Sequence, residues 1–232
     1  MPQLFDILYI LREDINPNEL RYSLRSVAEN FPHRFVWFIG AKPEGLTPDR
    51  YIEHKQTGAN KWERIRSSLL RAIQEPELSE SFFLFNDDFY VMTPQGEPFI
   101  NFTEKTLKWR VEDLRKVYPY LNNYGRTLEK AQAELKGLGY PQNNFEVHMP
   151  FLMEKAKANS ILKCSSPQMR SVYGNINKVP FIDRDDVKVY DLNEVPYDSD
   201  YLSTSDEIFE KGKVGEYIRQ RFPFPSCFEV TT

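Results

Sequence analysis

Phe82-Phe83-Leu84-Phe85-Asn86-Asp87-Asp88-Phe89-Tyr90-Val91 decides how the rest of the chain reads. Four apolar residues lead into an amide and two adjacent carboxylates, and a second apolar run resumes at once. That is the pattern of a buried strand that ends by thrusting polar groups out of the core. In an open α/β sheet ligands gather at the carboxyl ends of strands, and Asn and Asp oxygens are hard donors suited to Mg²⁺ or Mn²⁺. Asn-Asp-Asp is equally ordinary turn chemistry, and the stretch alone does not choose between a turn and a metal site.

Upstream, residues 4–11 (LFDILYIL) predict a first buried strand that ends at Arg12 and Glu13. Asn16-Pro17 opens a helix with Leu20, Leu24 and Val27 on one face, closed by Asn30 and Pro32. Residues 34–39 (RFVWFI) predict a second strand, ended by Gly40 and Pro43, and Tyr51-Ile52 a short third one. A helix follows over residues 60–74, with Trp62, Ile65, Leu69 and Ile73 at helical spacing. Strand, helix, strand with apolar strands predicts a parallel sheet. The expected fold class is therefore α/β: a mostly parallel, Rossmann-like central sheet flanked by helices. Asn60, Lys61 and Arg64 gather near the start of the second helix, where free amides and the dipole already favour an anion such as a pyrophosphate. The same residues also read as a solvated helix face.

Downstream, residues 91–102 read as a connection or an irregular antiparallel pair. Residues 103–122 are basic and aromatic and helical in their first half, and 125–138 form a strong helix stopped by Gly139 and Pro141. This helical insert, about 103–140, interrupts the alternation and is expected to form a lobe over the sheet edge where an acceptor docks. Residues 145–150 (FEVHMP) alternate and carry Glu146 and His148, and a short helix is expected over 151–159. Residues 168–175 (QMRSVYGN) set Arg170 beside an aromatic and a Gly-Asn turn. Residues 181–202 predict an acidic loop with short strand pieces (VKVYDL). Ser203-Thr204-Ser205-Asp206 are helix-capping types before a C-terminal helix over 207–222, and their oxygens and amides can instead meet a ligand. The Phe222-Pro223-Phe224-Pro225 tail should lie extended.

With 232 residues the chain reads as one domain, residues 1–232. A net charge of -4 gives no global attraction to nucleic acid, although a local basic groove remains open. Aromatic residues at 14% suit a site that stacks rings or sugars, and equally a large aromatic core. Cys164 and Cys227 lack metal spacing, which argues for a reducing compartment. No stretch approaches the ~18 apolar residues of a membrane span, and no basic-then-apolar signal opens the chain. The expectation is a cytoplasmic protein.

An acidic strand end, a basic helix start and a late histidine converge on a metal-bound pyrophosphate. A divalent ion on Asp88 and His148 would neutralise a diphosphate leaving group while Lys61 and Arg64 take its remaining charge. Other chemistries fit worse: there is no Gly-rich phosphate loop, no Gly-x-Ser-x-Gly elbow, no His-Glu-x-x-His and no Cys-x-x-Cys.

The blocks Glu19-Leu20-Arg21-Tyr22-Ser23-Leu24-Arg25-Ser26, residues 82–90 (FFLFNDDFY) and His148-Met149-Pro150 together resemble the Stealth family of capsular polysaccharide phosphotransferases, and similar small phage and bacterial proteins called glycosyltransferases. Arg170 with Tyr173-Gly174-Asn175, Ser203-Thr204-Ser205-Asp206, residues 212–215 and residues 222–229 (FPFPSCFE) match the smaller relatives better. The resemblance implies a GT-A type fold and a nucleotide-sugar donor, such as a UDP-sugar. It also implies a DxD-like motif at Asn86, Asp87 and Asp88, with His148 completing the shell of a Mn²⁺ or Mg²⁺ cofactor. Stealth proteins carry an acidic-glycine sequence after their first strand, whereas Leu11-Arg12-Glu13-Asp14 has no glycine, which favours transfer of the sugar itself. The expected roles are metal binding by Asp88 and His148, donor binding by Arg12, Asn60, Lys61, Arg64, Asn86, Asp87 and Ser205, and catalysis by Asp87, Glu146 and Arg170. The expected acceptor is a carbohydrate or modified phage DNA. The alternatives are Stealth-type sugar-1-phosphate transfer, and a noncatalytic carbohydrate or nucleic-acid binder using Lys105, Lys108, Trp109, Arg110, Arg115 and Tyr118 of the insert.

Overall fold

The computed structural model describes residues 4–97 and 99–230; Pro98, inside the expected 91–102 connection, lies outside them. In chain order the first half is β1 (Asp6–Leu11), α1 (Pro17–Asn30), β2 (Val36–Gly40), β3 (Arg50–Ile52), α2 (Lys61–Ala72), β4 (Ser81–Phe85), β5 (Phe89–Val91), β6 (Asn101–Thr103), α3 (Leu107–Val117) and α4 (Asn123–Gly137). The second half is β7 (Phe151–Glu154), α5 (Lys155–Ala158), a 3₁₀ turn (Asn159–Lys163), α6 (Met169–Asn177), β8 (Phe181–Asp183), β9 (Tyr201–Ser203), α7 (Asp206–Lys211) and α8 (Lys213–Arg221).

The central sheet runs β3-β2-β1-β4-β7. Its first four strands are parallel and β7 lies antiparallel against β4. The chain lays β1, β2 and β3 side by side, then crosses back to set β4 on the other flank of β1. That reversal opens a crevice beyond the carboxyl ends of β1 and β4, the place where open α/β sheets receive ligands. The near-continuous apolar runs are explained by burial on both faces. Ile7, Tyr9, Phe83 and Phe85 pack with Leu20, Leu24 and Val27 of α1. Leu8, Trp37, Phe82 and Leu84 pack on the opposite side with Leu69 and Ala72 of α2 and with Met169 and Tyr173 of α6.

Helix α1 also serves as a polar edge for β5. Ser23 Oγ donates to the Phe89 carbonyl at 2.6 Å, Val91 N donates to Ser26 Oγ at 3.0 Å, and Asn30 Nδ2 donates to the Val91 carbonyl at 2.8 Å. These three buried side chains satisfy backbone groups that would otherwise be costly to bury. The expected helical insert is present as α3 and α4. It closes onto α6 through Leu107, Val111, Leu128, Leu135 and Val172.

Four local expectations are corrected. Residues 151–154 form β7, not the start of a helix: Phe151 and Met153 point into the core in strand alternation, and pairing with β4 overrides the helix-forming composition of the segment. Gly174 and Asn175 lie inside α6 and make no turn. Of the expected VKVYDL strand only an isolated bridge from Lys188 to Ser203 forms. The expected helix over 207–222 is two helices, α7 and α8, meeting at Gly212.

Gly174 is where α6 presses on the segment before β7. A Cβ there would stand 2.6 to 2.9 Å from ring carbons of Phe145, a buried ring. Gly174→Ala gains roughly 1 kcal/mol of helix propensity, and overpacking costs about 1–3 kcal/mol. A net loss of stability is therefore expected, read as a lower urea midpoint.

Candidate functional site

The crevice is a cleft of about 530 Å³. Ile10 and Arg12 from β1 and its end, Leu84 to Asp88 from β4 and the turn after it, Lys61, Trp62 and Ile65 from α2, and His148 and Arg170 from the second half all border it. Phe89 N donates to the Asn86 carbonyl at 3.3 Å, so Asn86-Asp87-Asp88 makes a tight turn between β4 and β5 and lines the cleft as well.

Asp88 is held from one side only. Lys188 Nζ donates to its Oδ2 at 2.7 Å, and Ser203 Oγ donates to the same oxygen at 3.2 Å. Oδ1 is buried and has no partner. Burial alone would raise the Asp88 pKa, but the Lys188 ammonium and then His148 overcome it and hold the carboxyl below its usual range. The neighbouring Asp87 goes the other way: burial, then the charge of Asp88, pushes it up to about 6. Two adjacent carboxyls thus have divergent proton affinities, an arrangement that separates a fixed charge from a proton-exchanging group.

His148 presents its Nδ1 to Asp186 Oδ2 at 2.7 Å, and its backbone N donates to Asp186 Oδ1 at 2.8 Å. A neutral ring that donates from Nδ1 has its lone pair on Nε2, the form in which a histidine ligates a metal with a carboxylate behind it. Among the described residues no cluster of three or more His, Cys, Asp or Glu forms a protein-only metal cage. Asp88 and His148 border the same cleft and are the residues that could hold Mg²⁺ or Mn²⁺, with waters and phosphate oxygens filling the remaining positions.

Arg170 and Glu146 are committed to the architecture of the site. Arg170 donates from Nη1 to the Val147 carbonyl at 2.8 Å and from Nη2 to Asn86 Oδ1 at 2.7 Å, and its guanidinium lies 5.2 Å from the centroid of Phe89. It is buried and ties the β4 end to the segment carrying His148. Ser171 N donates to Glu146 Oε1 at 2.9 Å, so that carboxylate caps the start of α6, and burial raises its pKa. Both residues border the cleft.

Among the expected donor-binding residues, Arg12, Lys61, Asn86, Asp87 and Ser205 border the cleft. Arg12 also pulls against the raised pKa of Asp87. Asn60 and Arg64 do not border it. Asn60 caps α2 by accepting from Glu63 N at 3.1 Å, and Arg64 Nε donates to the Gly58 carbonyl at 3.3 Å; both are exposed. The helix start and the loop before it engage these side chains locally. Ser205 stands at the N-cap of α7 but makes no side-chain capping bond.

Four further residues that the sequence did not assign to the site border the cleft: Lys188, Glu19, Trp62 and Tyr124. Lys188 sits in a loop with no motif, a hundred residues from Asp88. Trp62 follows the apolar rhythm of α2 yet presents an aromatic surface beside Lys61, whose ammonium is 5.1 Å from its ring centroid. Glu19 follows Asn16 by three residues, a capping-box spacing, but it is buried and accepts from Thr204 Oγ1 at 2.8 Å.

Burial, reinforced by a hydrogen bond to Asp206, pushes the Glu19 pKa up to about 9. The folded protein therefore holds a proton here that the unfolded chain releases above about pH 4.5. The stability contributed is full below that pH and is lost as pH rises through about 9. Glu19→Gln keeps an acceptor for Thr204 and a donor for Asp206 without the titration. It should match the parent near pH 4 and melt about 4–8 °C higher at pH 8, the equivalent of about 2 kcal/mol.

Most of the cations expected to form a binding surface on the insert are paired with acids. Lys108 pairs with Glu112 at 3.7 Å, Arg110 with Asp113 at 3.4 Å, Lys116 with Asp113 at 3.2 Å, and Arg115 with Glu129. Lys105 lies over the Trp109 ring at 3.8 Å. Cys164 and Cys227 are free thiols, and among the described residues no helix is long and apolar enough to cross a membrane.

Fold and site together define a mixed α/β protein with a charged cleft at the reversal point of a mostly parallel sheet. No protein-family profile matches the sequence, and no curated protein matches it.

Proposed function

We propose that the chain is a metal-dependent glycosyltransferase of GT-A type that moves a sugar from a nucleotide-diphosphate sugar, such as a UDP-sugar, to an acceptor hydroxyl of a carbohydrate or modified DNA. The observation that carries this reading is Asp88 Oδ1, a buried carboxylate oxygen without a partner, beside a histidine whose other nitrogen is already taken. Asp88 and His148 would hold Mn²⁺ or Mg²⁺, which when bound would neutralise charge building on the diphosphate.

The chain's own groups divide the rest of the work. Lys61 and Arg12, cations at the cleft border, take the remaining diphosphate charge. Trp62 offers a flat face for a base or sugar ring. Arg170 locks Asn86 so that the amide keeps its orientation toward the cleft. Asp87, with a pKa near 6, is charged at neutral pH and yet basic enough to accept a hydroxyl hydrogen bond or proton. Glu146 is less suited to that task because it caps α6.

The test is donor hydrolysis with and without EDTA, with product analysis. Metal-dependent release of a nucleoside diphosphate supports the reading, whereas release of a nucleoside monophosphate would assign sugar-1-phosphate transfer instead. Turnover untouched by EDTA would remove the metal from the mechanism.

A further inference from the structure

We propose that Lys188 makes cation binding at Asp88 conditional on a bound diphosphate; the inference rests on the metal-dependent reading above. Lys188 and Asp88 are both mostly shielded, at 14% and 15% side-chain exposure, and their ion pair is 2.7 Å long. Both hydrogen bonds to Asp88 fall on Oδ2, which leaves Oδ1, buried and without a partner, as the carboxylate oxygen available to a cation. A cation at Oδ1 would stand across a single carboxylate from the Lys188 ammonium. Repulsion between two positive centres at that range is large in a partly desolvated cleft and weak only in bulk water.

The surrounding charges sharpen the effect. Lys188 offsets Asp88, and Arg12, Lys61 and Arg170 offset Asp87, Glu146 and Asp206 around the same cleft, where Glu19 is held protonated. Without an anion the site therefore offers a divalent ion little net attraction. A diphosphate reverses the balance, because it supplies several negative oxygens to the ion. It can also accept hydrogen bonds from the ammonium, which has three donors and spends one on Asp88. Cation and diphosphate then promote each other's binding by the same factor, as linkage requires. Lys188 is thus a positioning residue that stops the empty cleft from collecting metal.

Isothermal titration calorimetry of the full chain with Mn²⁺, alone and with saturating uridine diphosphate, tests this in the parent and in Lys188→Gln, Lys188→Met and Lys188→Arg. Lys188→Gln can still donate to Asp88, so it keeps the buried carboxylate partnered if the methionine variant fails to fold. The expected result is that a neutral variant binds Mn²⁺ alone at least about tenfold tighter than the parent. The factor by which uridine diphosphate tightens Mn²⁺ should shrink in step, while Lys188→Arg should behave like the parent. A folded neutral variant whose Mn²⁺ affinity without nucleotide is within twofold of the parent, or weaker, overturns the inference and leaves the transferase reading standing. A parent protein that takes up neither Mn²⁺ nor uridine diphosphate, together or apart, overturns both.

Discussion

Asp88→Asn is expected to cut metal-supported donor turnover at least a hundredfold, about 2.7 kcal/mol in transition-state stabilisation, while the protein stays folded. The reason lies in how the carboxylate is used. Its Oδ2 side is tied to Lys188 and Ser203, so replacing it with an amide preserves shape and some hydrogen bonding there. What is lost is the formal charge and the open Oδ1. Asp88→Ala should lose as much activity and more stability, because it removes the hydrogen-bond acceptor of Lys188 and Ser203 as well as the charge. Steady-state turnover with Mn²⁺, beside a thermal melt, separates the two losses. Full activity in Asp88→Asn would remove Asp88 as the metal ligand.

Asp6→Ala is expected to cause a large loss of stability, although it lies outside the cleft. Asp6 is completely buried at the start of β1. Its Oδ1 accepts from Arg34 Nε at 2.7 Å, and its Oδ2 accepts from Arg34 Nη2 at 2.6 Å, Trp37 Nε1 at 2.9 Å and Ser79 N at 2.8 Å. One carboxylate thus joins β1 to the start of β2 and to the approach to β4. Truncation leaves an indole N–H, an amide and one face of a guanidinium unpaired, at a cost of about 3–5 kcal/mol. For a chain of this size that corresponds to a fall of about 6–20 °C in Tm. Asp6→Asn should fall between the two, since its amide can still accept but sets two hydrogens against existing donors. A Tm for Asp6→Ala within 2–3 °C of the parent would show that the network contributes little.

What could be read from the sequence follows how local the cause was. The first four strands of the sheet and helices α1, α2 and α4 were legible because their apolar residues recur at spacings that only one backbone satisfies. β7 was not, since the segment after Pro150 is rich in helix formers and becomes a strand only when β4 offers an edge. Gly174-Asn175 looked like a turn because glycine is the usual turn residue, whereas here glycine admits the Phe145 ring. Within the site, the acidic strand end and His148 were legible by residue type. Arg64 and Asn60 were of the right type, but local hydrogen bonds claim them. Lys188 and Glu19 escaped because their partners, Asp88 and Thr204, lie 100 and 185 residues away, and no short motif encodes such a meeting.

The contacts of residues 222–230 bear on the order in which the molecule assembles. Phe228 is buried in the same cluster as β1 and α1, Arg25 of α1 grips Glu229 through two bonds of 2.8 and 2.7 Å, and Thr47 N donates to the Phe228 carbonyl at 2.8 Å. The first 85 residues contain four of the sheet's five strands, yet part of the apolar cluster around β1 and α1 is supplied by chain synthesised some 140 residues later. A nascent chain must therefore keep apolar surface open through most of its synthesis, the condition under which holding chaperones matter most. Ribosome-stalled chains ending before Phe228 should be cut readily by protease, with resistance appearing only once that residue has cleared the exit tunnel.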